Sequence, residues 1–249
     1  MTSDATRIVT AAEAPQLQDS MQDLGGSPWP EFLLHSTVVN QNWMRLYEFH
    51  PECQLALLDP TDGSLLAIAN SLPVRWDGPP EGLPERGVEW ALESRFVAEA
   101  PPAPNVLCAL QIVVAPALLN HGLSSTMVSA MRRVAAERGL AHLIAPVRPV
   151  WKHRYPLVPM ERYVRWTRDD GLPYDPWMRV HVRLGASILQ VCEASLCVEG
   201  TREQWEAWTA LRLPESGRYT LEGGLVPMDF DAARNLGRYV EPNVWMQHA

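Results

Sequence analysis

Hydrophobic spacing changes several times along this chain, and each change marks an element. Residues 106–114 read Val-Leu-Cys-Ala-Leu-Gln-Ile-Val-Val, nearly all apolar with β-branched residues at the end, which predicts a strand covered on both faces. Pro116 and Asn120 break it. From Leu123 the apolar residues recur at helical spacing, at Leu123, Met127, Met131 and Val134, while Arg132, Arg133, Glu137 and Arg138 take the other side. Gly139 supplies a C-terminal stop, and residues 141–147 follow as a second buried strand. The block 106–148 thus reads strand, turn, helix, strand, and the rest of the chain is organised around it.

Upstream, residues 1–28 are polar and weakly patterned and end in Gly-Gly-Ser-Pro, so they are expected to form a partly flexible segment, with order beginning near Trp29. Residues 30–50 carry Phe32, Leu33, Val38, Trp43, Leu46 and Tyr47 at loosely helical spacing, which predicts a pair of short helices. Residues 53–58 and 64–74 pair as a predicted hairpin across Asp59-Pro60-Thr61-Asp62-Gly63. The proline-bracketed stretch 75–105 reads as an insertion around a helix at 87–98.

Downstream, residues 187–198 read as a strand, and Thr201-Arg202-Glu203-Gln204 has the capping-box pattern for a short helix with Trp205 and Trp208. After a loop at 211–224, residues 225–231 and 239–245 read as closing strands. The ending through His248 is expected to pack back over the sheet or to cover one side of a site, because Val244 and Trp245 need burial. The organisation implied is one domain over residues 29–249, with a C-terminal extension from about residue 200.

Two stretches carry candidate chemistry. The predicted helix of the central block opens at Gly122, and the amides of residues 120–125 have no partners within it. They can point at an anion with the positive end of the helix dipole behind them, and Gly122 lets the ligand come close. A diphosphate fits that turn. The second stretch is Asp175-Pro176-Trp177-Met178-Arg179-Val180-His181-Val182-Arg183-Leu184-Gly185-Ala186, in which Asp175 is a natural N-cap, Pro176 suits the first helical position and Gly185 ends the helix. Trp177, His181 and Leu184 share one inward face. His181 is therefore either a histidine satisfied within the core or one with a chemical role.

Together these stretches resemble the GCN5-related N-acetyltransferase (GNAT) superfamily. Its acyl-coenzyme A site follows Arg/Gln-x-x-Gly-x-Gly/Ala between a strand and a helix; here Leu119-Asn120-His121-Gly122-Leu123-Ser124 keeps the central glycine and departs at Leu119 and Ser124. Members commonly carry Tyr-x-x-x-Gly on the later helix, and counting back from Gly185 puts His181 at the tyrosine position. That histidine version is similar to GNAT-like domains linked to nitrilase-type hydrolases and to polyketide loading modules. The resemblance implies an α/β fold: a mixed, mainly antiparallel sheet with helices on both faces, splayed between residues 106–114 and 141–147.

For the site, the resemblance implies that strand amides at Val113 and Val114 hold the thioester arm of acetyl-CoA or another acyl-CoA. Asn120, His121, Gly122, Leu123, Ser124 and Ser125 would hold the diphosphate, and His181 would handle the proton at sulfur. Three activities stay open: direct acyl transfer to a small-molecule amine, decarboxylation of malonyl-CoA with loading of an acyl carrier protein, and non-catalytic acyl-CoA binding.

Composition narrows the field. A net charge of −8 with pI near 5.4 leaves no basic stripe for nucleic acid or a membrane surface. The four cysteines lie in apolar runs without zinc spacing, no secretory segment is visible, and no run approaches the ~20 apolar residues of a membrane span, so a cytoplasmic chain with reduced thiols is expected. No histidine pair has metal-ligand spacing and no Gly-x-Ser-x-Gly elbow occurs, so neither a metal nor a serine hydrolase is expected. Glu89, Glu93 and Glu99 are candidate bases or solvated surface groups. Lys152, His153, Arg154, Arg162, Arg165 and Arg168, interleaved with Trp151, Tyr155, Tyr163 and Trp166, form either a phosphate-binding patch or a surface loop.

Overall fold

Apolar runs and turn residues put most of the strands where the sequence predicts them, a strand at Gly217–Tyr219 inside the predicted loop being one exception, and the long-range pairing decides what they enclose. The structure, a computed structural model, describes residues 7–248, apart from the side chain of Glu81. β2 (Gln54–Leu58) and β3 (Leu65–Val74) form the predicted antiparallel hairpin, its turn closed by Thr61 and Ser64 amides donating to Asp59 and Asp62 at 2.7 and 2.8 Å. β3 pairs in turn with β4 (Val106–Val114). α4 (Leu123–Glu137) then crosses over to β5 (Leu143–Val147), parallel to β4.

The β4–β5 pairing is brief: Leu107 faces Leu143 and Cys108 faces Ile144, after which the strands part. From Ala109 to Val114 the β5 side of β4 has no strand partner. On its other side, Gln111 pairs with Asn70 and Ala109 with Ser71, leaving Leu110 as a bulge that bends the strand where the separation begins. The splay expected between these two strands is present.

Helices cover both faces. α1 (Gln18–Gly26), α2 (Thr37–Phe49) and α3 (Gly87–Phe96) bury Met21, Leu46 and Leu92 against one side, while α4 and α6 (Pro176–Arg183) bury Met127, Met131 and Met178 on the other. Ser36 caps α2, accepting from the Val39 amide, and a short 3-10 turn at Glu31–His35 takes the place of the first of the two helices expected there. α5 (Met160–Tyr163) is a single turn, and α7 (Arg202–Thr209) starts with the predicted capping box.

Two expectations need correction. Order sets in before Trp29: β1 (Arg7–Thr10) pairs antiparallel with β2, and α1 follows. Residues 1–6 of that expected flexible segment lie outside the described residues. This edge strand is four residues long and wholly buries only Val9, too short a stretch to stand out as a strand in the sequence. The ending does not lie over the sheet either. β9 (Leu236–His248) runs inside it, paired along its length with β6 (Ala186–Gly200), with β5 beside its second half and β8 (Met228–Asp231) beside its first; β7 (Gly217–Tyr219) lies beyond β8. Val244, Trp245 and Met246 are wholly buried. An apolar run covered on both faces must satisfy its backbone sideways, and only a central position in a sheet does so.

Candidate active site

Where β4 and β5 part, a cavity of about 1090 Å³ opens between their diverging ends. The free edge of β4 from Ala109 to Ile112, the end of β5 from Ala145 to Arg148, the N-terminus of α4 and the inner side of α6 form its walls. Trp29, Leu33, Leu34, Trp43 and Met44 close the far side.

The start of α4 is built as an open donor surface. Asn120 and Gly122 both take left-handed backbone angles, φ 68° and 79°, and Gly122 stands at the N-cap with no side chain capping the turn. The Ser125 and Thr126 amides turn back to the Gly122 carbonyl, so those of Leu123 and Ser124 have no partner among the described residues. No acidic residue occupies the first turn, and a Cβ on Gly122 would meet nothing within 4 Å. Free amides, an uncompensated helix dipole and open space suit the diphosphate of an acyl-coenzyme A.

Of the residues expected there, Val114, Asn120, Gly122, Leu123, Ser124 and Ser125 line the cavity. His121 is exposed and does not. Val113 does not either, because strand alternation sends its side chain into the core on the opposite face.

Asp175 holds α6 in place. One carboxylate oxygen accepts from the amides of Trp177 and Met178, and the other from the Trp151 amide and the Tyr163 hydroxyl at 2.8 and 3.0 Å. His181 therefore has a fixed address, 2% exposed, with Trp177 edge-on at 4.4 Å between ring centres. Its Nδ1 lies 2.9 Å from Nε2 of His248, while its Nε2, on a ring that lines the cavity, has no partner among the described residues. Burial, helped by the neighbouring His248, pushes its pKa down to about 3, so the ring is neutral at physiological pH.

Sequence reasoning missed His248 and the polar end of β9. Tyr239, Glu241 and Asn243 share one strand face, and polar residues two apart in an apolar run were the available signal. Glu241 is buried in a bidentate pair with Arg148, at 2.7 and 3.0 Å, and accepts from Tyr239 at 2.6 Å. Arg148 also donates to the Gly223 carbonyl and lies over the Trp29 ring at 5.6 Å. Asn243 bonds Ser195 and the Pro146 carbonyl, with its own carbonyl oxygen unpartnered.

Other candidates fall outside. Glu89, Glu93 and Glu99 do not line the cavity; Glu89 is buried, taking bonds from Arg86, Ser36 and the Cys197 amide. The basic aromatic stretch is not one patch. Lys152 is fully buried and donates to the carbonyls of Tyr155 and Leu225, and burial lowers its pKa to about 8. Arg162, Arg165 and Arg168 are exposed, whereas Trp151 reaches the cavity wall.

No family model matches the sequence. The chain is 31% identical over 271 residues to the arginine N-acetyltransferase avaD of Aspergillus versicolor, covering 97% of this chain and 93% of that protein. Among solved structures it is similar to the GNAT-like decarboxylase GphF in complex with isobutyryl-CoA, with TM-score 0.59 and 19% identity over 98% of each chain. It is also similar to the loading GNATL domain of CurA from Lyngbya majuscula, with TM-score 0.57 and 21% identity over 76% of this chain and 88% of that one. At those identities the two structures establish the fold.

Proposed function

The chain belongs to the GNAT superfamily and is an acyl-CoA-dependent N-acetyltransferase of an amine, and on that premise we propose that it moves the acetyl group of acetyl-CoA onto an amine of arginine, with His181 carrying the proton. One observation carries the site assignment: the uncapped start of α4, the unpaired edge of β4 and the free Nε2 of His181 belong to one cavity.

In this reading the diphosphate lies on the amides that open α4, at Gly122, Leu123 and Ser124, with the Ser125 side chain beside them, and the pantetheine arm runs along the β4 edge that ends at Val114. The acceptor enters past Trp29, Leu33 and Trp43. The acceptor supplies the amine, and the relative's arginine activity supports free arginine in that place.

The amine attacks the thioester carbon; a C–N bond forms as the C–S bond breaks, and the proton lost by nitrogen ends on sulfur. His181 Nε2 takes that proton and returns it to the departing thiolate, leaving the ring as it began. Positioned proton transfer of this kind contributes ~10²–10⁴-fold.

The test is release of free thiol from acetyl-CoA with and without arginine. Arginine-dependent release, lowered ~10²–10⁴-fold in kcat by His181→Ala, is the expected result. Release with other amines but not arginine would reject the acceptor, and full activity in His181→Ala would reject the role of that residue.

A further inference from the structure

We infer that His248 is a positioning residue for the transfer: its imidazole keeps the proton of His181 on Nδ1, so that Nε2 meets the reacting atoms as a bare lone pair. The inference rests on the reading of His181 as the proton carrier and adds to it a partner on a different strand.

His181 Nδ1 and His248 Nε2 are 2.9 Å apart, and both rings are buried, at 2% and 1% exposure. Two neutral imidazoles at that distance share one hydrogen, so one ring donates and the other accepts. The outer nitrogens, Nε2 of His181 and Nδ1 of His248, make no hydrogen bond among the described residues. Burial lowers the pKa of His248 to about 4, with the Arg132 guanidinium adding to it, so that ring is neutral as well. The two rings differ in address: His181 lines the cavity and His248 does not. A proton carrier must meet the attacking nitrogen with a lone pair, so Nε2 of His181 is bare and the single hydrogen of that ring sits on Nδ1, donated to Nε2 of His248.

The consequence reaches the chemistry. In the donating form His181 has no hydrogen on Nε2, so it can take a proton from the attacking nitrogen. As it does, the ring becomes an imidazolium whose Nδ1–H bond to His248 gains charge assistance, and the bond relaxes when the proton passes to sulfur. His248 does not line the cavity, so it acts through His181 alone. Its own placement is rigid, because β9 is paired there with Leu143 on one side and Ala186 on the other.

The experiment reads the proton directly, by nitrogen-15 NMR of the imidazoles in the free protein, together with steady-state kinetics. Wild type should show His181 protonated at Nδ1 and bare at Nε2. His248→Leu should lose that preference and drop kcat about 10- to 100-fold, a share of the ~10²–10⁴ available to a positioned proton carrier, with KM for acetyl-CoA unchanged. His248→Gln, whose carboxamide oxygen can accept the same bond, should restore most of the loss and decides the matter if the leucine variant does not fold. A wild-type His181 protonated at Nε2, or wild-type kcat in a folded His248→Leu protein, would overturn the inference. Should His181→Ala retain full kcat, the role of His181 fails, while the wild-type spectrum still decides whether His248 fixes its proton.

Discussion

Gly122 and His181 show how single residues set the site. Gly122 holds φ 79° with open space around it, so Gly122→Ala introduces left-handed strain of about 1–2 kcal/mol but no clash. That variant should melt slightly earlier and bind coenzyme A clearly more weakly by calorimetry, because the added methyl stands at the proposed diphosphate site. The glycine was legible in the sequence, as was His181 on its inward face. His248 was not, since nothing local marks a histidine at the end of a strand as the partner of one on a helix 67 positions earlier.

The same two histidines set an acid limit on stability. Burial holds their folded pKa values at about 3 and about 4, below the ordinary 6.5, so the unfolded chain binds more protons than the folded one throughout that window. Their contribution is complete above about pH 6.5 and is lost as the pH falls towards 3. Denaturant midpoints should therefore drop between pH 7 and pH 5, and the drop should be smaller in His248→Leu. The kcat/KM profile of the free enzyme should show no inflection near 6.5 from His181.

At the scale of elements, α6 is a two-turn helix with little stability of its own, and Asp175 ties its start to Trp151 and Tyr163. Asp175→Ala removes an N-cap worth about 0.5–2 kcal/mol and frees the turn that aims His181. Lower kcat with coenzyme A affinity largely kept, measured by kinetics and calorimetry, is the expected outcome, and Asp175→Asn should be milder because it still caps. This helix was readable because its cap, its Pro176 and its Gly185 are all local signals. The strand β1 was not, because an edge strand with one buried side chain carries almost no pattern.

For the whole molecule, the decisive feature is the order of strands. Local spacing marks strands but not neighbours, so the splay came from a family likeness and the insertion of β9 between β5 and β6 was not foreseen. Trp245 sits at that junction, wholly buried, donating to the Pro84 carbonyl at 2.7 Å and meeting Trp90 edge-on. Trp245→Ala should lower unfolding stability by about 3–5 kcal/mol, readable as a shift in the denaturant midpoint.

The central place of β9 also fixes a sequence of events. Chains emerge from the ribosome at roughly 5–20 residues per second, N-terminal part first. Among the described residues β9 follows every other strand, yet it supplies ladder partners to β5, β6 and β8 as well as Glu241, Asn243 and His248. Until it is made, β5, β6 and β8 have exposed edges and His181 lacks its buried neighbour. The nascent protein can assemble β1 to β4 and their helices early, but the cavity walls are complete only once β9 is in place.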